Sequence, residues 1–301
     1  MNARKTVVGW GLLWMTAGML QAGDFPTLQK TLDIPLSIAS VVDANTTTLP
    51  EYILIQDLHR HPEAQANIAA LILHASRHWG LTTAYIEGAY AGQPIQRHLS
   101  EKSLRSQLEE GILSGAEMAY AMVKPGELRL EGIEDPDVYK ENVEAYQAAQ
   151  DQQSQALQEI NTARLLQETL DLSQRQLSSE QLDRLELLAR LKLKPAEYAR
   201  YIEERKSMQR SPALQEALKA AERFYQLANR RSEIFLEQSR LKPNGERKIF
   251  VVGGFHTTEM AEHLRTEGKS FVVLSPHVTR SGYEHLYAER MNETISALKL
   301  R

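Results

Sequence analysis

The chain has 301 residues, a formal charge of −4 and no cysteine. That length can bury one good core and a second, smaller layer, and the acidic balance argues against a general nucleic-acid binder. Without thiols there are no disulfides, zinc–thiolate sites, iron–sulfur clusters, cysteine nucleophiles or lipoprotein anchor.

Arg4 and Lys5 precede an apolar run from Thr6 to Leu20, followed by Gln21, Ala22 and Gly23. This is the pattern of an export signal over residues 1–22, cut after Ala22, and the run is shorter than the roughly 20 residues of a spanning helix. Removing Arg4 and Lys5 takes the charge from −4 to −6. The expectation is an exported chain, periplasmic or secreted, with no stable membrane span after processing.

Residues 23–136 read as the first part of an α/β core. Tyr52 to Ile55 is a continuous apolar run, the mark of a parallel strand buried on both faces, and it exits through Gln56-Asp57-Leu58-His59. Pro62 suits the first position of the next helix and Gly80 its C-terminal cap. Thr82 to Ile86 is a second strand ending at Glu87-Gly88, and one helical stretch is predicted from about Ser103 to Val123. Leu128 to Ile133 is a third strand, ending at Glu134-Asp135-Pro136.

Residues 137–244 read as an all-helical insertion. Lys194-Pro195 and Ser211-Pro212 open helices, and Leu214, Ala217, Leu218, Ala221, Tyr225, Ala228 and Phe235 recur at the spacing of a packed face. Gln147 to Gln158 has few large apolar residues and reads as an exposed helix. The α/β core resumes over residues 245–301. Ile249 to Val252 is a fourth strand running into Gly253-Gly254-Phe255-His256, with Thr257 a candidate helix cap. Phe271 to Leu274 is a fifth strand. The fold class is therefore α/β: a mainly parallel sheet flanked by helices, with a long helical insertion that shields the site.

Ligands of open α/β sheets sit beyond the carboxyl ends of the strands. Those ends deliver Asp57 and His59, then Glu87, then Glu134 and Asp135, then His256. Two imidazoles and one or two carboxylates suit a divalent metal such as zinc or manganese, with a water in an open position and a spare carboxylate to take its proton. His59, Glu87 and His256 are the candidate ligands. Gly253 and Gly254 would let the backbone turn sharply and approach a ligand closely. Gln65 could reach the site from the first helix, and His277 from the end of the last strand.

Three blocks, Gln56-Asp57-Leu58-His59, Ile86-Glu87-Gly88 and Gly253-Gly254-Phe255-His256, resemble the motifs of the TraB/TIKI, erythromycin-esterase-like and ChaN-like superfamily. Gln56 stands where that pattern has Gly, and Asp57 where many members have Glu. The strand Leu130 to Asp135 also looks like one that carries a further acidic residue there. The resemblance covers the α/β segments and implies a metal-assisted hydrolase of ester or peptide bonds, acting on a small molecule or a peptide. His59 and His256 would be ligands or acid–base groups, Glu87 a ligand or general base, and Glu134 would orient one of the histidines. Asp57 is a further candidate base.

Other readings remain open at this point. The same superfamily includes haem binders, for which Tyr85, Tyr90, Tyr120 and His98 are conceivable axial ligands. Asp57-Leu58-His59-Arg60-His61 also resembles the opening of PHP-type phosphoesterases. The helical stretch could serve as a partner surface, although its Gln, Glu and Arg residues suit a solvated face.

Overall fold

In the computed structural model, residues 25–93, 95, 103–169, 177–240, 246–281, 289 and 293–296 are described. Residues 1–22, read as an export signal, lie outside them. No helix among the described residues is long and apolar enough to cross a membrane.

Six strands form one sheet: β1 (Ala39–Ala44), β2 (Tyr52–Asp57), β3 (Thr83–Tyr90), β4 (Arg129–Glu134), β5 (Lys248–Gly253) and β6 (Phe271–Pro276), in the order β1-β6-β2-β5-β3-β4. All neighbours are parallel except β1, which runs antiparallel to β6. The apolar runs read from the sequence supply the five parallel strands. The sixth, β1, went unpredicted because Ala-Ser-Val-Val-Asp-Ala alternates poorly. It is an edge strand whose outer groups are closed by a side chain from α1 (Phe25–Thr31). The amide of Gln29 donates to Ala39 O at 2.9 Å and accepts from Val41 N at 2.9 Å. That arrangement substitutes for a seventh strand and blunts the exposed edge.

Alternation along the strands sends side chains into two cores. Ile53, Ile55, Val251 and Leu274 pack under α2 (Pro62–Trp79), which contributes Ile68 and Ile72, and under α4 (Gly115–Met122). Leu54, Tyr85, Phe250 and Val273 face the other way, against α9 (Gly254–Thr266) and α8 (Pro212–Arg240), through Met260, Leu264, Phe235 and Leu236. Each fully buried large apolar side chain contributes about 1.5–3 kcal/mol. The ends of α2 follow the expected chemistry. Pro62 opens it, His61 Nδ1 accepts from Ala64 N at 3.4 Å, and Gly80 closes it at φ +67° with its N–H on Ala75 O.

Two local expectations need correction. The stretch from Ser103 to Val123 is two helices, α3 (Leu104–Glu109) and α4, instead of one. Gly111, at φ +67°, breaks the first, and Ser114 with Glu117 forms a reciprocal cap for the second. Thr257 does not cap α9. The helix begins at Gly254 with Gly253 as its cap, and Thr257 Oγ1 donates to Gly254 O at 2.9 Å inside the first turn. Gly253 has φ −57° and Gly254 also lies outside the left-handed region. Neither therefore makes a special backbone turn, and only Gly253 supplies a close approach: a Cβ on Gly254 would meet nothing within 4 Å.

The helical middle comprises α5 (Pro136–Glu168), α6 (Ser179–Ala189), α7 (Pro195–Glu204) and α8. It has its own core, in which Leu185, Leu188, Tyr201, Leu214, Leu218 and Tyr225 are buried. Its last helix also belongs to the sheet, because Phe235 and Leu236 are buried there.

Candidate active site

The chain topology makes a crevice between β2 and β5. From β2 the chain crosses over β5 to β3 through α2, on one face. From β5 it crosses over β2 to β6 through α9, on the other. Adjacent strands whose connections leave to opposite sides splay their exit loops apart, and ligands of such sheets bind there. His59 follows one of these strands and His256 the other. Glu87 and Glu134 come from β3 and β4, the next two strands in the sheet.

The side chains do converge. Glu87 Oε2 accepts from Gly253 N at 2.6 Å, and Glu87 Oε1 lies 3.5 Å from His256 Nε2. A Cβ on Gly253 would sit 3.4 Å from both Glu87 Oε2 and His59 Nε2. Glycine at this position lets β5 come that near. Each imidazole is held through its other nitrogen: His59 Nδ1 lies 2.7 Å from Asp57 Oδ2, and His256 Nδ1 lies 2.9 Å from Ser232 Oγ. Asp57 is itself fixed by Gln65, whose Nε2 donates to Asp57 Oδ1 at 2.5 Å, while Gln65 Oε1 accepts from Gly115 N. The expected reach of Gln65 into the site is thus met, by way of Asp57.

The sequence reading missed the cation at the centre. Arg231, on α8, donates through Nε and NH2 to Glu134 at 3.1 and 2.5 Å, through NH2 to Glu87 Oε1 at 2.9 Å and through NH1 to Asn142 at 3.1 Å. It also lies 5.2 Å from the centre of the Tyr139 ring. Glu134 is fully buried, and its second contact is the Gly88 N–H at 3.1 Å. It therefore holds an arginine, and the expectation that it orients a histidine is corrected. The signal was present. Arg231 stands three residues after Ala228 and four before Phe235, so an arginine and the neighbouring Ser232 fall on a helix stripe that is otherwise apolar.

Burial and charge set the proton affinities. Burial lowers His59, but Asp57 and then Glu87 outweigh it and push the imidazole up to about 9. Burial takes His256 the other way, down to about 3, with Glu87 only partly opposing. Burial would raise Glu87. The charges of protonated His256, Arg231 and His59 overcome it and hold the carboxyl well below the usual range. Burial wins at Glu134, which is raised despite Arg231. Arg231 is raised by Glu134 and Glu87 in spite of its own burial. At neutral pH the site thus holds a cationic His59, a neutral His256 and an ionised Glu87.

A cleft of about 510 Å³ opens over these groups, lined by Asp57, His59, Glu87 and Arg231 together with Tyr139 and Asn142 from α5. His256 is 5 % exposed and does not line it; the residue stands behind Glu87. The other candidates lie elsewhere. Asp135 caps α5, accepting from Asp137 N and Val138 N at 3.0 Å each. His61 caps α2. His277 is exposed, with its carbonyl on Asn67 Nδ2 and its N–H on Ile38 O, so it does not join the site. Tyr85 is stacked on Phe250 inside the sheet core, Tyr90 meets Tyr139 edge-on, and Tyr120 packs against the opposite core. His98 lies outside the described residues.

Fold and site together define an α/β protein with a charge-matched acid–base cluster at the switch point of its sheet. Comparison with family models, curated proteins and solved structures gave no match.

Proposed function

We propose that this chain is a hydrolase of ester or peptide bonds, in which His59, Glu87 and His256 hold a divalent cation such as zinc or manganese. One observation carries the reading. The Ser232 hydroxyl has a single hydrogen, and it donates to Ala228 O at 3.2 Å. With that hydrogen on Ala228 O, Ser232 Oγ accepts from His256 Nδ1–H, and the tautomer we assign leaves a lone pair on His256 Nε2 facing Glu87 Oε1 at 3.5 Å. Two buried acceptors that face each other call for a proton, a water or a cation between them.

The donor set fits a cation. Both imidazoles have their outer nitrogens anchored by an oxygen, the arrangement that orients metal-binding histidines. Among the described residues no three His, Asp or Glu side chains already form a ligand cage, so loading includes a rearrangement of these groups. The ion would supply a bound water with a pKa near about 7. The chain's own residues account for the rest. His59, on the cleft wall, would bind the ion through a neutral Nε2, so loading the cation displaces the proton that the metal-free ring holds there. Asp57 holds the ring. Arg231 keeps Glu87 ionised and fixes its orientation, and the apolar wall beside them limits bulk water.

Metal analysis of the purified full-length chain, with His59→Ala and His256→Ala beside it, tests the reading. The expected result is about one ion per chain in the wild type, loss of the ion in both variants, and hydrolysis of ester or peptide substrates that chelation abolishes. Hydrolysis indifferent to chelator in a metal-free protein would overturn the metal. No hydrolysis of any ester or peptide by the metal-loaded chain would overturn the activity.

A further inference from the structure

We infer that the protein groups of the cleft, apart from any bound cation, favour an uncharged ester or amide carrying an apolar arm over phosphate and carboxylate groups, an inference that rests on this cleft being the substrate site. Among the described residues, the charged side chains lining it are already matched inside the protein. Both forks of Arg231 are spent on Glu134, Glu87 and Asn142. Arg60 donates to the two carboxylate oxygens of Glu293 at 3.2 and 2.6 Å. His59 is paired with Asp57. Glu117 Oε2 accepts from Ser114 N and Oγ at 2.9 and 2.8 Å.

Recognition of phosphate or carboxylate usually rests on a bidentate arginine or on helix N–H groups. Both are largely committed here. At the start of α4, which lines the cleft, Gly115 N–H is taken by Gln65 and Glu117 N–H by Ser114. An anionic ligand that took Arg231 would strand buried Glu87 and Glu134 at a cost no single new contact repays. One that took Arg60 would release only Glu293, 56 % exposed, from a solvent-screened pair.

The rest of the wall is apolar: Ile86, Ile112, Leu113, Ala116, Leu130 and Val251. Five of these are buried or half-buried, while Ile112 is 56 % exposed at the rim. A cleft of this size, apolar on one side and polar on the other, matches a small ligand that has a hydrocarbon part and a carbonyl. The carbonyl belongs beside His59 and the hydrocarbon against Ile112 and its neighbours.

Binding, measured apart from turnover, decides the matter. Calorimetry on the full-length chain, treated with chelator so that no bound cation ligates the anions, would compare N-methyloctanamide, octanoate and inorganic phosphate. The first two share an apolar arm and differ in charge. The neutral amide is expected to bind at least about tenfold more tightly than octanoate, with phosphate weaker still. Ile112→Asp should weaken the amide by about tenfold or more, and Ile112→Lys should turn the preference toward octanoate. Ile112→Ser, which adds no charge, serves as the second variant and should weaken both octyl probes alike. Octanoate or phosphate binding as tightly as the amide, or an amide affinity indifferent to all three substitutions, would overturn the inference. Selective binding without hydrolysis would remove the catalytic proposal and leave this one standing. Hydrolysis of phosphate esters as readily as neutral ones would do the reverse.

Discussion

Arg231 and Glu134 stand 97 residues apart in the chain, yet they close a two-point ion pair at the carboxyl end of β4, at 3.1 and 2.5 Å. Because Arg231 also reaches Glu87, one guanidinium neutralises two carboxylates from neighbouring strands. Removing one partner of a buried pair leaves an uncompensated charge and costs about 3–5 kcal/mol. Arg231→Met is therefore expected to lose about that much stability in urea unfolding. Adding Glu134→Gln should recover part of it, since one of the two stranded charges is then gone. Full additivity of the two substitutions would sink the shared-cation account.

The same contact bears on the helical middle. A shielding insertion could be exchanged for a short linker without loss of the sheet. Here α8 contributes Phe235 and Leu236 to the sheet's second core, and Arg231 and Ser232 to the site. Replacing residues 137–240 by a Gly/Ser linker is expected to expose that sheet face and strand Glu87 and Glu134. The product should be insoluble, or should lack a cooperative thermal transition. A soluble, cooperatively unfolding core would show that α8 is dispensable to the sheet.

Much of this arrangement was legible before the structure. Continuous runs such as Tyr-Ile-Leu-Ile and Ile-Phe-Val-Val mark strands buried on both faces, and parallel topology then gathers whatever follows them. That is how His59, Glu87 and His256 could be placed together from sequence. Three things were not legible, each for a physical reason. β1 is an edge strand whose pairing with β6 and cover by Gln29 are tertiary, so its short mixed sequence carries little signal. The break at Gly111 depends on a left-handed φ that a lone glycine does not announce. Arg231 sits in a region rich in Arg and Glu, where most charges are solvated. Only its phase on the buried stripe of α8 set it apart from Arg230, which pairs with Glu233 and Glu237 in the open.

Ser232 also comes from that stripe and acts as a positioning residue. In the tautomer assigned above it accepts from His256 Nδ1–H, at 2.9 Å, and so sets the protonation of the ring nitrogen that faces Glu87. Ser232→Ala frees the ring to place its proton on Nε2 and donate to Glu87 instead. Stability should fall by only about 0.5–1.5 kcal/mol, the net worth of one hydrogen bond. The ring-nitrogen NMR shifts of His256 should report a changed tautomer, and hydrolysis should drop with little change in KM. Ser232→Thr keeps the hydroxyl and is expected to restore both. An unchanged tautomer in Ser232→Ala would mean that Glu87 alone orients the ring.

The two histidines should shape the pH dependence of stability in the chelated, metal-free protein from opposite sides. His59 titrates near 6.5 when unfolded and is raised to about 9 in the fold, chiefly by Asp57 against the pull of burial. The folded form binds the proton more tightly, so the stabilisation is complete below about pH 6.5 and drains away as the pH rises through about 9. His256 is depressed to about 3 by burial. Its unfolded form takes a proton that the fold refuses, so stability is full above about pH 6.5 and falls as the pH drops toward 3. Glu87, held below its usual range mainly by neighbouring positive charge, acts in the same acid direction. Unfolding free energy should therefore peak near about pH 6.5, with each limb worth roughly 1–3 kcal/mol once partial solvent screening at His59, 27 % exposed, is allowed for. His59→Gln should flatten the alkaline limb alone and His256→Gln the acid limb alone, measured by urea unfolding across the range. If chelated wild type held constant stability from pH 6.5 to 9, the Asp57–His59 ion pair would carry no net energy.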